Sequence, residues 1–201
     1  MSAEVAIGRV ARPLRFDVEY PERLSRWLIF VKWLLAIPHL LILTALSMVV
    51  GTISLIAFFA ILFTGRFPRG LFDFVVGAYR WEANVTAYVL LLRDEYPPFS
   101  WDRGQYPVTF DVDYPERLSR WLVLVKWLLV IPNVVVLYLF LLVAAVLYVV
   151  AWFAILFTRR IPRGVFDFLV GVGRWSFWLN VYTNLMRDEY PPFGLAREGG
   201  P

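Results

Sequence analysis

LLILTALSMVVGTISLIAFFAILF, residues 40–63, contains no charged side chain. A helix needs about 20 consecutive apolar residues to cross the hydrocarbon core of a bilayer. Residues 134–157, VVVLYLFLLVAAVLYVVAWFAILF, repeat this property, and an arginine-containing turn follows each run, at Arg66 and at Arg159–Arg160. The two runs therefore predict two membrane helices in a mainly α integral membrane protein.

The composition supports this interpretation and excludes several classes of function. Of the 201 residues, 60% are hydrophobic, whereas soluble domains average roughly 45–50%. The chain has no cysteine and a single histidine, which excludes disulfide scaffolds, thiolate metal sites and multi-histidine metal sites. A formal net charge of +4 suits an anionic membrane surface and is too small to indicate nucleic acid. We expect no cofactor, no metal and no nucleic-acid partner.

The chain is an internal duplication. Residues 16–99 align with residues 110–193 without a gap, and over half of the aligned positions are identical. Both copies begin with Tyr-Pro-Glu-Arg-Leu-Ser-Arg-Trp and end with Arg-Asp-Glu-Tyr-Pro-Pro-Phe. The sequence therefore predicts the following organisation: an N-terminal tail at 1–13, repeat 1 at 14–99, a linker at 100–109, repeat 2 at 110–193 and a C-terminal tail at 194–201.

These motifs resemble a known family. The opening at 20–27, Leu-Ala-Ile-Pro-His at 35–39, Phe-Ala-Ile-Leu-Phe-Thr-Gly-Arg at 59–66, Pro-Arg-Gly-Leu-Phe-Asp-Phe at 68–74 and the closing motif at 93–99 are similar to DUF4389. The family comprises bacterial membrane proteins of unknown function. The resemblance covers both repeats and implies a membrane location, but it implies no activity. One departure is Asn133, which stands in repeat 2 where repeat 1 has His39.

A short extended segment precedes each repeat. Apolar and polar residues alternate over 14–20 and again over 108–114, which is typical of a half-buried strand. The two strands either pair across a pseudo-two-fold axis or remain separate arms.

Each opening motif leads into an amphipathic segment. Over 22–35, leucine and tryptophan share one helical face while arginine and lysine share the other, which indicates a helix lying in the membrane interface. The proline at position 38 is expected to end this helix. The alternative is a helix that packs on its own domain. The residues predicted to bind anionic headgroups are Arg23, Arg26, Lys32, Arg117, Arg120 and Lys126.

The third segment of each repeat, 70–92 and 164–186, is long enough to span but carries charges. The predicted intramembrane or inter-repeat contacts are Asp73, Arg80, Asp167 and Arg174, because charged residues at membrane depth are costly and usually functional. The alternative is an arginine–aspartate clasp that only fixes helix packing. If this segment crosses, each repeat has about two membrane helices plus one interfacial helix.

Topology follows from the linker and the charges. The linker is short and polar, so repeat 2 is expected to start on the side where repeat 1 ends. Four crossings then put both basic openings and both termini in the cytoplasm, as the positive-inside tendency prefers. Two crossings with the third helices in the interface remain the alternative.

Catalytic constellations are absent from the sequence. Ser25 and Ser119 have no histidine or lysine base at a suitable spacing, and His39 is expected to be a helix-terminal polar residue rather than a metal ligand. The sequence predicts a non-enzymatic scaffold or accessory subunit of the bacterial cytoplasmic membrane, binding anionic lipid and a larger membrane protein assembly or itself. The alternatives are a small transporter or channel with Arg80 and Arg174 along its path, and a lipid-modifying enzyme, which lacks a nucleophile–base pair.

Overall fold

The computed structural model describes residues 14–195. The predicted N-terminal tail and residues 196–201 of the predicted C-terminal tail lie outside this range. The elements, in chain order, are β1 (Leu14–Val18), α1 (Leu28–Thr64), α2 (Arg69–Val89), β2 (Val108–Val112), α3 (Leu122–Leu129), α4 (Ile131–Thr158) and α5 (Arg163–Thr183).

The two predicted strands pair with each other. β1 and β2 form an antiparallel ribbon in which Phe16 lies opposite Phe110 at the centre. Both rings are buried and contact Phe177 of α5, with centroids 5.1 and 5.0 Å away. A two-stranded ribbon is marginal alone, and here the apolar face rests on α2 and α5. Of the two alternatives that the sequence left open, the structure shows the paired strands.

The opening helix differs from its prediction. α1 begins at Leu28 rather than at residue 22, and it runs unbroken through Pro38. A proline removes only one backbone donor, and here Ala36 and His39 on either side of it are both buried. In repeat 2 the proline at position 132 does separate two helices, because it falls in the first turn of α4. The prediction of a separate interfacial helix is therefore wrong for repeat 1.

Two helical segments are long and apolar enough to cross a membrane, namely Leu28–Thr64 and Leu122–Thr158. The second comprises α3 and α4, which follow each other across Val130. Only one stripe of each contacts the rest of the chain, and large apolar side chains such as Trp27, Met48 and Phe157 are more than two-thirds exposed. An apolar surface of this extent indicates contact with lipid or with another protein.

The two copies run in opposite directions. The Leu24 N–H donates to the carbonyl oxygen of Arg159 (2.8 Å), and the Leu118 N–H donates to that of Gly65 (2.9 Å). The opening of repeat 1 therefore lies at the end of α4, and the opening of repeat 2 lies at the end of α1. At 1.5 Å per residue, a helix as long as α1 separates these points by roughly 55 Å. The four-crossing expectation, which required both openings on one side, is wrong.

The reason lies in the segment that joins the repeats. After α2 ends, the chain returns along that helix in an extended form. Trp101 contacts Gly77, β2 follows beside Arg80, and the Tyr114 hydroxyl donates to the Phe67 carbonyl oxygen (2.5 Å). The linker at 100–109 alone is too short for this return. The real path includes β2 and the opening motif, which together are long enough to traverse the helix.

Candidate functional site

Arginines gather at both ends of the long helices. The first arginine cleft is lined by Arg23, Arg26, Thr158, Arg159 and Arg160 and has a volume of about 510 Å³. The second arginine cleft has the same volume and is lined by Thr64, Gly65, Arg66, Arg117, Leu118 and Arg120. No acidic side chain is among these lining residues. Each cleft combines the opening motif of one repeat with the helix–helix turn of the other, so neither copy makes a cleft alone.

The chain holds each opening motif against the opposite turn. α1 and α4 are each followed by a residue in the left-handed conformation, Gly65 (φ 71°) and Arg159 (φ 58°). The carbonyl oxygens of these two residues accept hydrogen bonds from the backbone N–H groups of the opening motifs. The Tyr20 hydroxyl donates to the Ile161 carbonyl oxygen (2.6 Å), and the Arg163 guanidinium lies 4.1 Å from the centroid of the Tyr20 ring. This arrangement fixes the backbone around the arginines while Arg23 remains exposed.

Two of the predicted headgroup ligands lie elsewhere. Lys32 is only 2% exposed, and its Nζ lies 2.6 Å from the Arg93 carbonyl oxygen and 2.8 Å from Asp94 Oδ1. Lys126 makes the same contacts in repeat 2, with Arg187 and Asp188. Both lysines lie on the buried side of their helix, and each forms an ion pair inside the protein. Their assignment to headgroup binding is wrong.

Sequence reasoning missed the role of Asp94. Asp94 binds Lys32 and also accepts the N–H of Ser25. It thereby joins the start of α1 to the end of α2. The repetition of Lys32 and Asp94 at the same separation in repeat 2 was the available signal.

Arg80 lies against the ribbon and the linker. Its Nε donates to the Phe110 carbonyl oxygen (3.1 Å), its Nη1 to that of Trp101 (2.8 Å), and its Nη2 lies 3.3 Å from Asp111 Oδ1. Burial lowers the pKa of Arg80, and the neighbouring Asp111 opposes this effect. The guanidinium stays charged and fixes the path of the returning chain.

Arg174 makes the equivalent contacts from α5. Its Nε donates to the Phe16 carbonyl oxygen (3.0 Å), its Nη1 to that of Leu195 (3.4 Å), and its Nη2 lies 4.0 Å from Asp17 Oδ1. The two arginines thus bind the two halves of the ribbon to the helices, and their bonds to Phe110 and Phe16 each join one repeat to the other.

The aspartates predicted to accompany these arginines point elsewhere. Asp73 and Asp167 are exposed on α2 and α5, and neither takes part in an ion pair within the described residues. Arg69, one helical turn before Asp73, lies over the Tyr114 ring at 5.0 Å. Of the four predicted contacts, Arg80 and Arg174 bond across the repeats, whereas Asp73 and Asp167 form no inter-repeat ion pair within the described residues.

His39 has a structural role inside α1. It is fully buried, and its Nδ1 accepts a hydrogen bond from Trp81 Nε1 (3.1 Å). In repeat 2 Asn133 accepts the same bond from Trp175 (2.6 Å). The helix-terminal position expected for His39 is wrong, because α1 begins well before it. Over residues 14–195, no group of three or more acidic or histidine side chains is arranged to hold a metal ion.

Comparison with known proteins gives one match. A family model described as a domain of unknown function (DUF4389) matches residues 26–100 and again residues 120–194. No curated protein and no solved structure matches.

Proposed function

The chain belongs to the DUF4389 family, in two tandem copies, and from this premise we propose that it is a non-enzymatic scaffold or accessory subunit in the membrane. In this proposal it binds anionic lipid and a larger membrane protein assembly. The observation that carries the proposal is the pair of arginine clefts at the two ends of an exposed apolar surface.

The orientation in the membrane follows from the returning segment. If α1 stood across the bilayer, the ribbon beside the middle of α2 would lie at hydrocarbon depth. Its exposed charges, Arg15, Asp17 and Glu19 in particular, would each cost about 2.5–3.5 kcal/mol on insertion scales. We therefore propose that α1 and α4 lie parallel to the membrane surface, inserted into one leaflet.

The ribbon edges support the same orientation. A two-stranded ribbon leaves one row of backbone N–H and C=O groups unpaired on each outer strand edge. Open sheet edges do not occur in contact with lipid, because hydrocarbon offers no hydrogen-bonding partner. In the in-plane orientation α2 and α5, which contact both the ribbon and the long helices, separate these edges from the bilayer.

Both arginine clefts then reach the headgroup layer. Guanidinium groups bind phosphate in a bidentate manner, and each cleft offers at least three of them without an acidic neighbour. An anionic phospholipid at each end of the apolar surface would hold the protein flat. The exposed flanks of α1 and α4 remain free for another subunit or for a second copy of this chain.

The proposal also assigns a side. Leu14 begins β1 in the ribbon, and Leu195 lies against Arg174 beside it. Both described ends of the chain therefore leave from the ribbon face. We propose that this face points to the cytoplasm of a bacterium, with the protein integral to the cytoplasmic membrane.

The test is a comparison of bound lipids by native mass spectrometry on the full chain in neutral detergent. With phosphatidylglycerol and phosphatidylcholine of identical acyl chains, we expect preferential retention of phosphatidylglycerol. The quadruple variant Arg23→Ala/Arg26→Ala/Arg117→Ala/Arg120→Ala should lose at least tenfold of that preference.

The matched control removes Arg15 and Arg103, exposed arginines of the ribbon face, and should keep the preference. If the wild-type protein retains both lipids equally, the lipid-binding part of the proposal is wrong. The accompanying assembly is tested by cross-linking in native membranes, where a product of monomer size only would contradict it.

The transporter alternative has less support. It needs Arg80 and Arg174 along a polar path, whereas both guanidiniums bind carbonyl oxygens of the ribbon.

A further inference from the structure

A groove between α1, α2 and α5 combines a polar half with an apolar half. The polar half, about 260 Å³, is lined by residues that include Ser47, Tyr79, Glu82, Asn180 and Asn184. The adjoining half, about 360 Å³, shares Glu82 and Ser47 and continues along a mostly apolar wall. The apolar members of that wall are Leu40, Leu43, Val85, Val89 and Leu90.

Glu82 is the charged group at the junction of the two halves. Within the described residues its carboxylate receives no hydrogen bond and joins no ion pair, although the side chain is partly buried. Burial raises the pKa of Glu82 to about 7. A carboxylate held in such surroundings without a partner is costly, so a cation that enters the groove gains a strong partner.

The second repeat supplies an internal control, because its residues at the equivalent positions lack the polar side chains of the groove. Glu82 corresponds to Ser176, Ser47 to Leu141 and Asn184 to Leu90. The ring of Phe140 packs on Trp175 at 5.2 Å, close to where the equivalent groove would lie. Over half of all aligned positions are identical, yet the polar residues of the groove all differ from their counterparts. Repeat 2 therefore lacks the polar side chains that line this groove.

The polar wall is held in place by bonds between three helices. The Asn184 side-chain amide donates to the Tyr79 hydroxyl (2.6 Å) and accepts from the Ser54 hydroxyl (2.7 Å). Asn184 follows α5, Tyr79 belongs to α2 and Ser54 belongs to α1. These bonds fix the side chains of the polar wall, so they do not move in to fill the groove.

We propose that this groove binds the primary ammonium group of an amphiphile, with Glu82 as the anionic partner. An ammonium carries three N–H donors and no acceptor, and the Glu82 carboxylate, the Ser47 hydroxyl and the side-chain amide oxygen of Asn180 line the groove as acceptors. The alkyl chain lies along Leu40, Leu43 and Val85. A quaternary ammonium fits less well, because such groups favour aromatic cages and Tyr79 is the one aromatic residue among those lining the groove.

The location of the groove suits this ligand. The groove lies between the long helix α1 and the helices that carry the ribbon, which is headgroup depth in the in-plane orientation. This part of the inference rests on the proposed function. Two sources carry such an ammonium, an aminophospholipid and a free long-chain amine, and the experiment distinguishes them.

The experiment uses the full chain in neutral detergent, with binding followed by native mass spectrometry. The probes are phosphatidylethanolamine against phosphatidylcholine, and dodecylamine against dodecanol. We expect at least tenfold preference for the ammonium member of one or both pairs. Preference in the first pair identifies a lipid source, and preference in the second pair alone identifies a free amine. Equal binding within both pairs would overturn the inference.

Variants assign the effect to the groove. Glu82→Gln should abolish the preference, and Ser47→Leu, which introduces the repeat 2 residue, should fill the groove and do the same. Ser176→Ala, at the position equivalent to Glu82, is the matched control and should bind as wild type. An unchanged preference in Glu82→Gln would overturn the assignment. The anionic-lipid preference should persist in Glu82→Gln and vanish in the cleft variants, so the two proposals fail separately.

Discussion

The Arg174 guanidinium lies 3.0 Å, through Nε, from the carbonyl oxygen of Phe16, a residue 158 positions earlier in the chain. This bond attaches the first strand to the last helix, and Arg80 makes the equivalent bond to Phe110. The duplication therefore folds as one interlocked unit in which each repeat holds the strand of the other.

Arg174→Ala should loosen the ribbon. Hydrogen bonds to charged groups contribute about 1.5–3 kcal/mol each, and the partial exposure of this site favours the lower part of that range. We expect a loss of about 1.5–2 kcal/mol, measured as a lower thermal unfolding midpoint in neutral detergent. Arg174→Lys should recover little, since an ammonium cannot reproduce the guanidinium fork. Arg15→Ala, on the exposed ribbon face, is the control, and an equal loss there would contradict the assignment.

The buried pair of Lys32 and Asp94 gives a second prediction. Removing one partner of a buried pair leaves an uncompensated charge and costs about 3–5 kcal/mol. Asp94 is about a quarter exposed, so Lys32→Met should cost somewhat less. Lys32→Met/Asp94→Asn should be more stable than Lys32→Met alone. A double-mutant cycle by denaturant unfolding measures the coupling.

Lys126 and Asp188 make the same pair at the same distance of 2.8 Å. The equivalent variants in repeat 2 should therefore give a similar coupling energy. Additive effects in both repeats would mean that the two pairs contribute no specific stability.

Local patterns predicted much of the fold. Alternation at Phe16 and Phe110 predicted the strands, because a strand buried on one face alternates apolar and polar residues. The uncharged runs predicted the long helices, because an apolar environment excludes charged side chains along their whole length. The sequence did not predict that the second copy runs in the opposite direction to the first. It depends on the return path through Trp101 and Tyr114, which is a matter of tertiary contacts rather than of composition.

The candidate site was predicted in part for the same reason. Arg23 and Arg117 were identified as basic residues of the openings, but Arg66 and Arg159 join them only because the copies are antiparallel. Lys32 was assigned to the polar, headgroup-facing side of its helix. In the structure it lies on the buried side of α1, together with Ala36.

The in-plane orientation predicts the accessibility of engineered cysteines. The sequence contains no cysteine, so Glu22→Cys and Glu116→Cys each introduce a single thiol, and no other thiol is labelled. Both residues are exposed, and they lie at opposite ends of α1. In sealed membrane vesicles of one orientation, an impermeant maleimide should label both from the same side. Met48, exposed at the middle of α1, should be protected by lipid. Labelling of positions 22 and 116 from opposite sides would indicate that α1 spans the bilayer.

Glu82 predicts how stability depends on pH. Its pKa is raised by burial from 4.5 to about 7 in the folded protein, so between these values the folded state binds more protons than the unfolded state. The contribution of Glu82 to the free energy of unfolding is therefore fully present below pH 4.5, and it is lost as the pH rises through 7. The other groove residues that face Glu82, Ser47 on α1 and Asn180 on α5, carry no charge. Tyr79 on α2 does not titrate in this range, since burial raises its pKa further above 10.

The expected loss between pH 5 and pH 8 is about 1–3 kcal/mol, since one pKa unit corresponds to about 1.4 kcal/mol. Denaturant unfolding of the full chain in neutral detergent, without added amine, measures it. Glu82→Gln cannot ionise and should flatten this part of the profile, whereas Ser176→Ala should retain it. A saturating primary amine should also reduce the loss in the wild-type protein, because it stabilises the carboxylate that forms at higher pH. A profile identical in wild type and Glu82→Gln would mean that Glu82 already has a compensating partner in the folded state.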